Sequence, residues 1–364
     1  MNPQFQQMLQ EATRLTRAGR LDEATRMIQH ALRGQPGKGE SAEARDVPAQ
    51  MPGGPPAAMN EAAAIRHGGR ALDFTLHLPP AHRGRALPLV VMLHGCTQNP
   101  DDFALGTAMN EHADREGFVV LYPAQSRTAN ASGCWNWFKH NHQGRGRGEP
   151  GLIAAMTHRV MHEHPIDPQR VYIAGLSAGG AMAAIVAAAY PDVFAAVGVH
   201  SGIAPGAATS LAQALSVMKS GAAGPGLTGA VHGLDTAWPS GAGLAMPVPT
   251  IVFHGDRDQT VHPGNGDQVV ASALAANASP GAARSPAARI EHGRSAAGKP
   301  FTRTLHEDAS GEVMVEHWLL HGAGHAWSGG RAEGSYTDAS GPDASREMLR
   351  FFFEHPRVPG HRAT

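Results

Sequence analysis

Residues 171–186 read VYIAGLSAGGAMAAIV, and the interpretation of this stretch decides the fold. Val171, Tyr172 and Ile173 are bulky residues that favour a buried strand. From Ala181 to Val186 small helix-forming residues take over. Between the two lies Gly175-Leu176-Ser177-Ala178-Gly179, the G-x-S-x-G spacing of a nucleophile elbow. Glycine at the flanking positions lets the backbone turn sharply and lets neighbouring elements approach. A serine at such a junction is held out at a helix N-terminus, where amide groups and the helix dipole favour negative charge. An ordinary Gly-Ser turn has the same letters, so the partners of Ser177 decide.

Outward from this stretch, strand-like and helix-like segments alternate. ALDFTLHLP (71–79), ALPLVVMLHG (86–95) and FVVLYP (118–123) read as strands. FALGTAMNEHADREG (103–117) and GLIAAMTHRVMHEHP (151–165) read as helices. Beyond the serine helix, VFAAVGVHSG (193–202) and VPTIVFHG (248–255) are two more buried strands. FTRTLHE and VMVEHWLLHG follow as a strand pair or single strand, and PDASREMLRFFFEH closes with a helix. Alternation of this kind predicts a mostly parallel sheet with helices on both faces. Residues 203–246 break the rhythm and read as a lid-like insertion at a strand's C-terminal end.

Two segments precede this domain. Residues 1–33 carry apolar positions at mostly helical spacing, interrupted at Gly19, and read as a helical hairpin. Its apolar face needs a partner, either the main domain, a second copy in a homodimer, or another apolar surface. Residues 34–61 are Pro, Gly and charge without periodicity, a flexible linker, and the catalytic domain is expected over 62–358.

Composition narrows the function classes. A net charge of -1 over 364 residues gives no electrostatic footprint for nucleic acid. No apolar run reaches the roughly 18 residues of a membrane span. The first twenty residues lack the apolar core of a secretory signal, so a cytoplasmic location is expected. Cys96 and Cys134 are too few for a disulfide framework or a structural zinc site, and allow one bridge between them. A cytoplasmic address argues against that bridge being stable. Twenty-two histidines invite a metal reading, but His158, His162 and His164 come without an H-E-x-x-H pattern or a carboxylate set at ligand spacing. No metal or cofactor is expected.

A serine hydroxyl is a weak nucleophile that needs a base, and the base needs an orienting acid. Two later strand ends supply them in the order Ser, Asp, His, the chain order of α/β-hydrolases. TIVFHGDRDQTVHP offers Asp256 and Asp258 after an apolar strand. Asp258 is favoured, because the loop has room to curl back, whereas Asp256 follows Gly255 directly in the turn. HWLLHGAGHAWSGG offers His321 and His325, and His325, beyond the GAG turn, is the better base. Oxyanion donors are expected from the Ala178 amide and from LHGCTQ (93–98), through the amide of Cys96 or Thr97. Trp135, Trp137 and Trp327 come from loops placed beside the nucleophile and are expected to wall the acyl site, with a structural role the alternative. Arg145 or Arg147, in GRGRGEPG, is a candidate contact for a substrate carboxylate.

The combination HGCTQ, SGCWNWF, RGRGEPGLI, GLSAGGAM, HGDRDQTVHP and GHAWSGG closely resembles the poly(3-hydroxybutyrate) depolymerase family of esterases, over about residues 65–355. The resemblance implies an α/β-hydrolase fold, Ser177, Asp258 and His325 as the triad, and the Cys96 region as an oxyanion contributor. The implied substrates are hydroxybutyrate oligomers or polymer. Feruloyl and acetylxylan esterases, which are related, supply the alternative substrates. A granule-associated interaction protein is the alternative of a different class.

Overall fold

Continuous apolar runs build the middle of the molecule. The computed structural model describes residues 58–67, 69–80, 84–221, 248–277 and 288–357. β3 (Leu87–Leu93), β6 (Ala196–His200) and β7 (Thr250–Gly255) are buried at every residue, and β5 (Ile166–Leu176) is buried from Val171 onward. Strands of this kind need cover on both faces, which a parallel sheet with flanking helices provides. With β4 (Val119–Ala124) and β10 (Val313–Leu320) they form a parallel block in the order β4-β3-β5-β6-β7-β10. Antiparallel strands extend it on both sides. β1 (Met59–His67) and β2 (Arg70–Leu78) flank β4, while β9 (Pro300–Glu307) and β8 (Arg289–Arg294) flank β10.

The pleat divides the core in two. β3 sends Leu87, Leu89, Val91 and Leu93 to one cluster, and Val90 and Met92 to the other. Alternate residues of a strand point to opposite faces, so a seven-residue apolar run feeds both layers. The first layer is closed by α3 (Gly148–Glu163) and α4 (Ala178–Ala189). The second is closed by α1 (Pro100–Thr107), α2 (Met109–Glu116) and α7 (Ala344–Glu354), through residues such as Phe103, Met109, Phe351 and Phe352. The mostly parallel sheet with helices on both faces is as the sequence predicts.

Several details differ from the sequence reading. The single helix expected over 103–117 is two, because Ala108 adopts a left-handed conformation (φ +52°) between α1 and α2. β1 begins at Met59, so residues 59–61 of the expected linker are already strand. It escapes recognition because it is an exposed edge strand of Ala and polar residues. The helical hairpin of residues 1–33, with the homodimer expected through it, and the rest of the linker before residue 58 lie outside the described residues. The insertion is described to residue 221. It forms α5 (Leu211–Ser220), capped by Ser210, and docks on the segment after β7: the His262 N–H donates to the Met218 carbonyl (2.7 Å). α6 (Gly264–Asn277) follows, with the Asn265 side-chain amide donating to the Val217 carbonyl (2.9 Å).

Candidate active site

β5, β7 and β10 are near neighbours in one parallel block, so their C-terminal ends open on one edge of the sheet. Ser177 follows β5, Asp258 follows β7 and His325 follows β10. The serine sits at the junction with α4 at φ 58°, ψ -119°, a conformation rare for a residue with a side chain. The flanking glycines make the junction possible: a methyl group at Gly179 would run into the Leu93 carbonyl, and one at Gly175 into the Gly179 backbone. The Ser177 N–H donates to the His200 carbonyl (2.9 Å), which ties the elbow to β6.

Asp258 holds His325. The N–H groups of Thr260 (2.9 Å) and Val261 (2.8 Å) donate to its Oδ1, an Asx-type turn that leaves Oδ2 for His325. His325 Nδ1–H donates to that oxygen at 2.7 Å. Burial pushes the Asp258 carboxyl up, but the bond and charge of His325 and the Val261 amide outweigh it and hold the group below its ordinary value. The acid is therefore ionised at neutral pH and keeps the His325 proton on Nδ1, leaving Nε2 as the basic nitrogen. Asp256 does not compete. It is engaged with His321 (3.0 Å) and the Gly322 N–H (2.7 Å) at the surface.

In the turn after β3 two of three consecutive amides are already bonded. Gly95 N–H donates to Gln98 Oε1 (2.8 Å), and Thr97 N–H donates to the Ser132 carbonyl (2.8 Å). The Cys96 N–H between them has no backbone acceptor among the described residues. The Thr97 amide is thus already paired, and the Cys96 amide is the candidate donor of this turn. The Ala178 amide is the first of α4, one of the helix N–H groups that have no partner within the helix. Thr97 is itself in a left-handed conformation (φ +67°) and donates its hydroxyl to the Cys96 carbonyl (2.6 Å).

Cys96 is bonded to Cys134, so the stable bridge argued against from sequence is formed. The loop carrying Cys134 is fixed from below. The buried carboxylate of Glu149, from GRGRGEPG, accepts the Asn136 N–H (2.7 Å), the Asn136 side-chain amide (2.6 Å) and the Gln125 side-chain amide (2.7 Å). Gln125 also donates its side-chain amide to the Cys134 carbonyl (3.0 Å) and its backbone N–H to His94 Nε2 (3.2 Å). Burial pushes the His94 imidazole below its ordinary pKa, which keeps Nε2 free to accept.

Four of the side chains expected to meet substrate are engaged within the protein. Trp135 is wholly buried, with its indole N–H donated to the His94 carbonyl (3.1 Å). Trp327 is buried too, stacked on His200 and donating to Ser345 Oγ (3.0 Å). Both are packed inside the protein, with their indole N–H groups already bonded. Trp137 is also buried, edge-on to Phe138. Arg145 is paired with Asp192 (2.6 and 2.7 Å) and lies over the Tyr190 ring, so it is committed elsewhere.

The sequence reading missed three supports. His200 stacks between Phe253 and Trp327, and its Nε2 accepts the Ser328 N–H (3.0 Å), which anchors the segment after His325. Burial first, then the neighbouring His254 and His325, push its pKa down to about 3, so it is neutral. Glu149 is the second. Tyr336 is the third, its ring edge-on to His325 with centroids 6.4 Å apart. The first two read as ordinary strand and helix residues, and only the tertiary fold brings them to the site.

Comparisons with known proteins bear on the family and the fold. A family model described as Esterase PHB depolymerase matches residues 72–293. Poly(3-hydroxyalkanoate) depolymerase C of Paucimonas lemoignei is 34% identical over 257 residues, 70% of this chain and 58% of that protein. Feruloyl esterase B of Thermothelomyces thermophilus is 33% identical over 180 residues, 48% of this chain and 60% of that protein. The chain therefore matches less than two thirds of the length of either relative. Among solved structures, an acetyl xylan esterase from Aspergillus awamori superposes with a TM-score of 0.61 at 18% identity, covering 81% of this chain and 99% of that one, which speaks for the fold.

Proposed function

We propose a serine esterase from one premise: the chain belongs to the PHB depolymerase family of esterases. The observation that carries the proposal is the 2.7 Å Asp258–His325 pair on the same sheet edge as a strained Ser177. His325 Nε2 takes the Ser177 proton as the hydroxyl attacks the ester carbonyl. The oxyanion that forms is met by the amides of Ala178 and Cys96. His325 then returns the proton to the leaving alcohol, giving an acyl-enzyme. Water, activated by the same imidazole, attacks that ester and releases the acid.

Hydroxyalkanoate esters, as oligomer or polymer, are the proposed substrates, supported by the family and by the similarity to a poly(3-hydroxyalkanoate) depolymerase. The similarity to a feruloyl esterase supports a second reading, aryl or plant cell-wall esters, with the same chemistry. The Cys96–Cys134 bridge favours work in an oxidising compartment over the cytoplasm, because such bridges persist only where thiols are not kept reduced. Ser177→Ala tests the reaction: it should lower kcat on p-nitrophenyl butyrate by about 10⁴-fold or more with the fold intact. Retained turnover would end the serine-esterase reading. Relative kcat/KM on 3-hydroxybutyrate trimer and methyl ferulate separates the two substrate classes.

A further inference from the structure

Tyr336 combines features that a loop residue without a task does not need. The residue is 44% exposed, and its backbone has φ +52°, a left-handed conformation that is an outlier for a bulky aromatic. It also touches both halves of the site. The ring stands edge-on to His325, and the phenol oxygen lies 3.2 Å from Thr97 Oγ1. The Thr97 hydroxyl has a single proton and spends it on the Cys96 carbonyl (2.6 Å), so the Tyr336 O–H is the donor to Thr97. A hydrogen-bonded chain thus runs from Tyr336 through Thr97 to the residue whose amide meets the oxyanion.

The conformation is enforced from both sides. The Tyr336 carbonyl accepts the Trp327 N–H (2.6 Å), and the Ser335 N–H donates to Asp102 (2.9 Å). One glutamine ties the two loops together: the Gln98 side chain accepts the Gly95 N–H (2.8 Å) and donates to the Ser335 carbonyl (3.0 Å). On the other flank, Thr337 Oγ1 donates to the Arg331 carbonyl (2.7 Å). A strained residue held this firmly signals function, since the strain persists only where the surroundings over-determine it.

We propose that Tyr336 is a positioning residue of this site: its hydroxyl clamps the oxyanion turn through Thr97, and its ring forms the rim beside His325. The proposal rests on the esterase reading. Because the clamp acts where negative charge develops, its loss falls on kcat, whereas loss of the ring falls on KM.

The test is steady-state kinetics of Tyr336→Phe and Tyr336→Gly on p-nitrophenyl butyrate and 3-hydroxybutyrate trimer. Thermal melts and the rate of Ser177 labelling by a p-nitrophenyl phosphonate accompany them. Tyr336→Phe should lower kcat and the labelling rate about fivefold to tenfold, the size of one neutral hydrogen bond, with KM unchanged. It should cost almost nothing in a Thr97→Ala background, because the two residues share one chain. Tyr336→Gly should add a rise in KM for the trimer while Tm holds or increases, since glycine adopts the left-handed conformation freely. A merely structural tyrosine would instead lower Tm and leave kcat alone. Wild-type turnover with both variants within twofold of it overturns the clamp and leaves the esterase reading standing. A wild-type chain that neither turns over ester nor takes the phosphonate overturns both.

Discussion

Asp256 and His321 repeat, at the surface, the pairing that Asp258 and His325 make in the site: the His321 Nδ1–H donates to Asp256 at 3.0 Å, against 2.7 Å for the buried pair. Spacing alone separates the two pairs poorly, since both aspartates follow β7 and both histidines follow β10. Their surroundings differ. Asp258 is buried with its second oxygen saturated by two amides, whereas Asp256 is half-exposed.

Asp258→Asn should therefore reduce kcat by about 10³- to 10⁴-fold, because an amide favours the wrong tautomer of His325. Asp256→Asn should stay within about threefold of wild type, since a surface pair contributes little. Stopped-flow or steady-state rates on one soluble ester decide the matter. A larger loss in Asp256→Asn would exchange the roles of the two pairs.

The bridge between Cys96 and Cys134 closes a segment of 38 residues and fastens the oxyanion turn to the loop that carries Trp135. Cys96→Ser/Cys134→Ser should lower stability by up to about 3–4 kcal/mol on the loop-entropy argument. The turn keeps its other ties through Gln98, Thr97 and Ser132, so kcat should fall less than for loss of a triad residue. Urea unfolding with and without a thiol reductant checks the first part, and kinetics of the folded double variant checks the second. A double variant as stable as wild type would leave the bridge without an energetic role.

Much of this site is legible in the sequence because its chemistry is local. G-x-S-x-G fixes Ser177 by backbone sterics, and an aspartate three residues past a buried strand forms its own turn. What is not legible depends on contacts between distant segments. Nothing near Trp135 or Trp327 says that their indole N–H groups meet the His94 carbonyl and Ser345 Oγ, 41 and 18 residues away, which turns expected substrate walls into buried braces. Cys96 and Thr97 are equivalent donors until Ser132 takes one of the two amides. β1 and β8 carry exposed, polar edge patterns, so apolar periodicity passes over them.

Glu149 shows the same dependence in its energetics. Burial pushes its carboxyl up, but His142, 3.5 Å away, and the Asn136 and Gln125 donors outweigh that and hold it below its ordinary 4.5. A depressed carboxylate adds stability that is fully present above its unfolded pKa and is lost as pH falls through the folded value. Glu149→Gln puts an NH₂ group against donors and should cost about 1–3 kcal/mol at pH 7, a deficit that shrinks as pH falls through the lowered folded value and the wild-type carboxylate protonates. Urea titrations at pH 7 and at the most acid pH where the fold persists measure both numbers. An equal deficit at the two pH values would sink the assignment of charge to Glu149.

His200 gives the opposite kind of group and the same sign of pH dependence. It is wholly buried and neutral, with Nε2 accepting the Ser328 N–H and Nδ1–H turned toward Ser201 Oγ (3.1 Å), and its pKa is pushed down to about 3. In the unfolded chain the imidazole takes a proton below its ordinary 6.5, while the folded chain refuses it until about 3. The unfolded state therefore binds more protons across that window, and stability falls as pH falls from 6.5 toward 3, by at most about 1.4 kcal/mol per pH unit for one group. His200→Gln retains an acceptor for Ser328 and removes the titration. His94, His254 and His317, also lowered by burial, remain in both proteins, so the difference between the two curves isolates His200. The variant should be less stable at pH 7, where stacking on Phe253 and Trp327 is weakened, and should lose stability less steeply between pH 6 and pH 4. Unfolding free energies measured in urea at half-unit pH steps test this, and parallel curves for the two proteins would show that His200 is not the buried neutral group described.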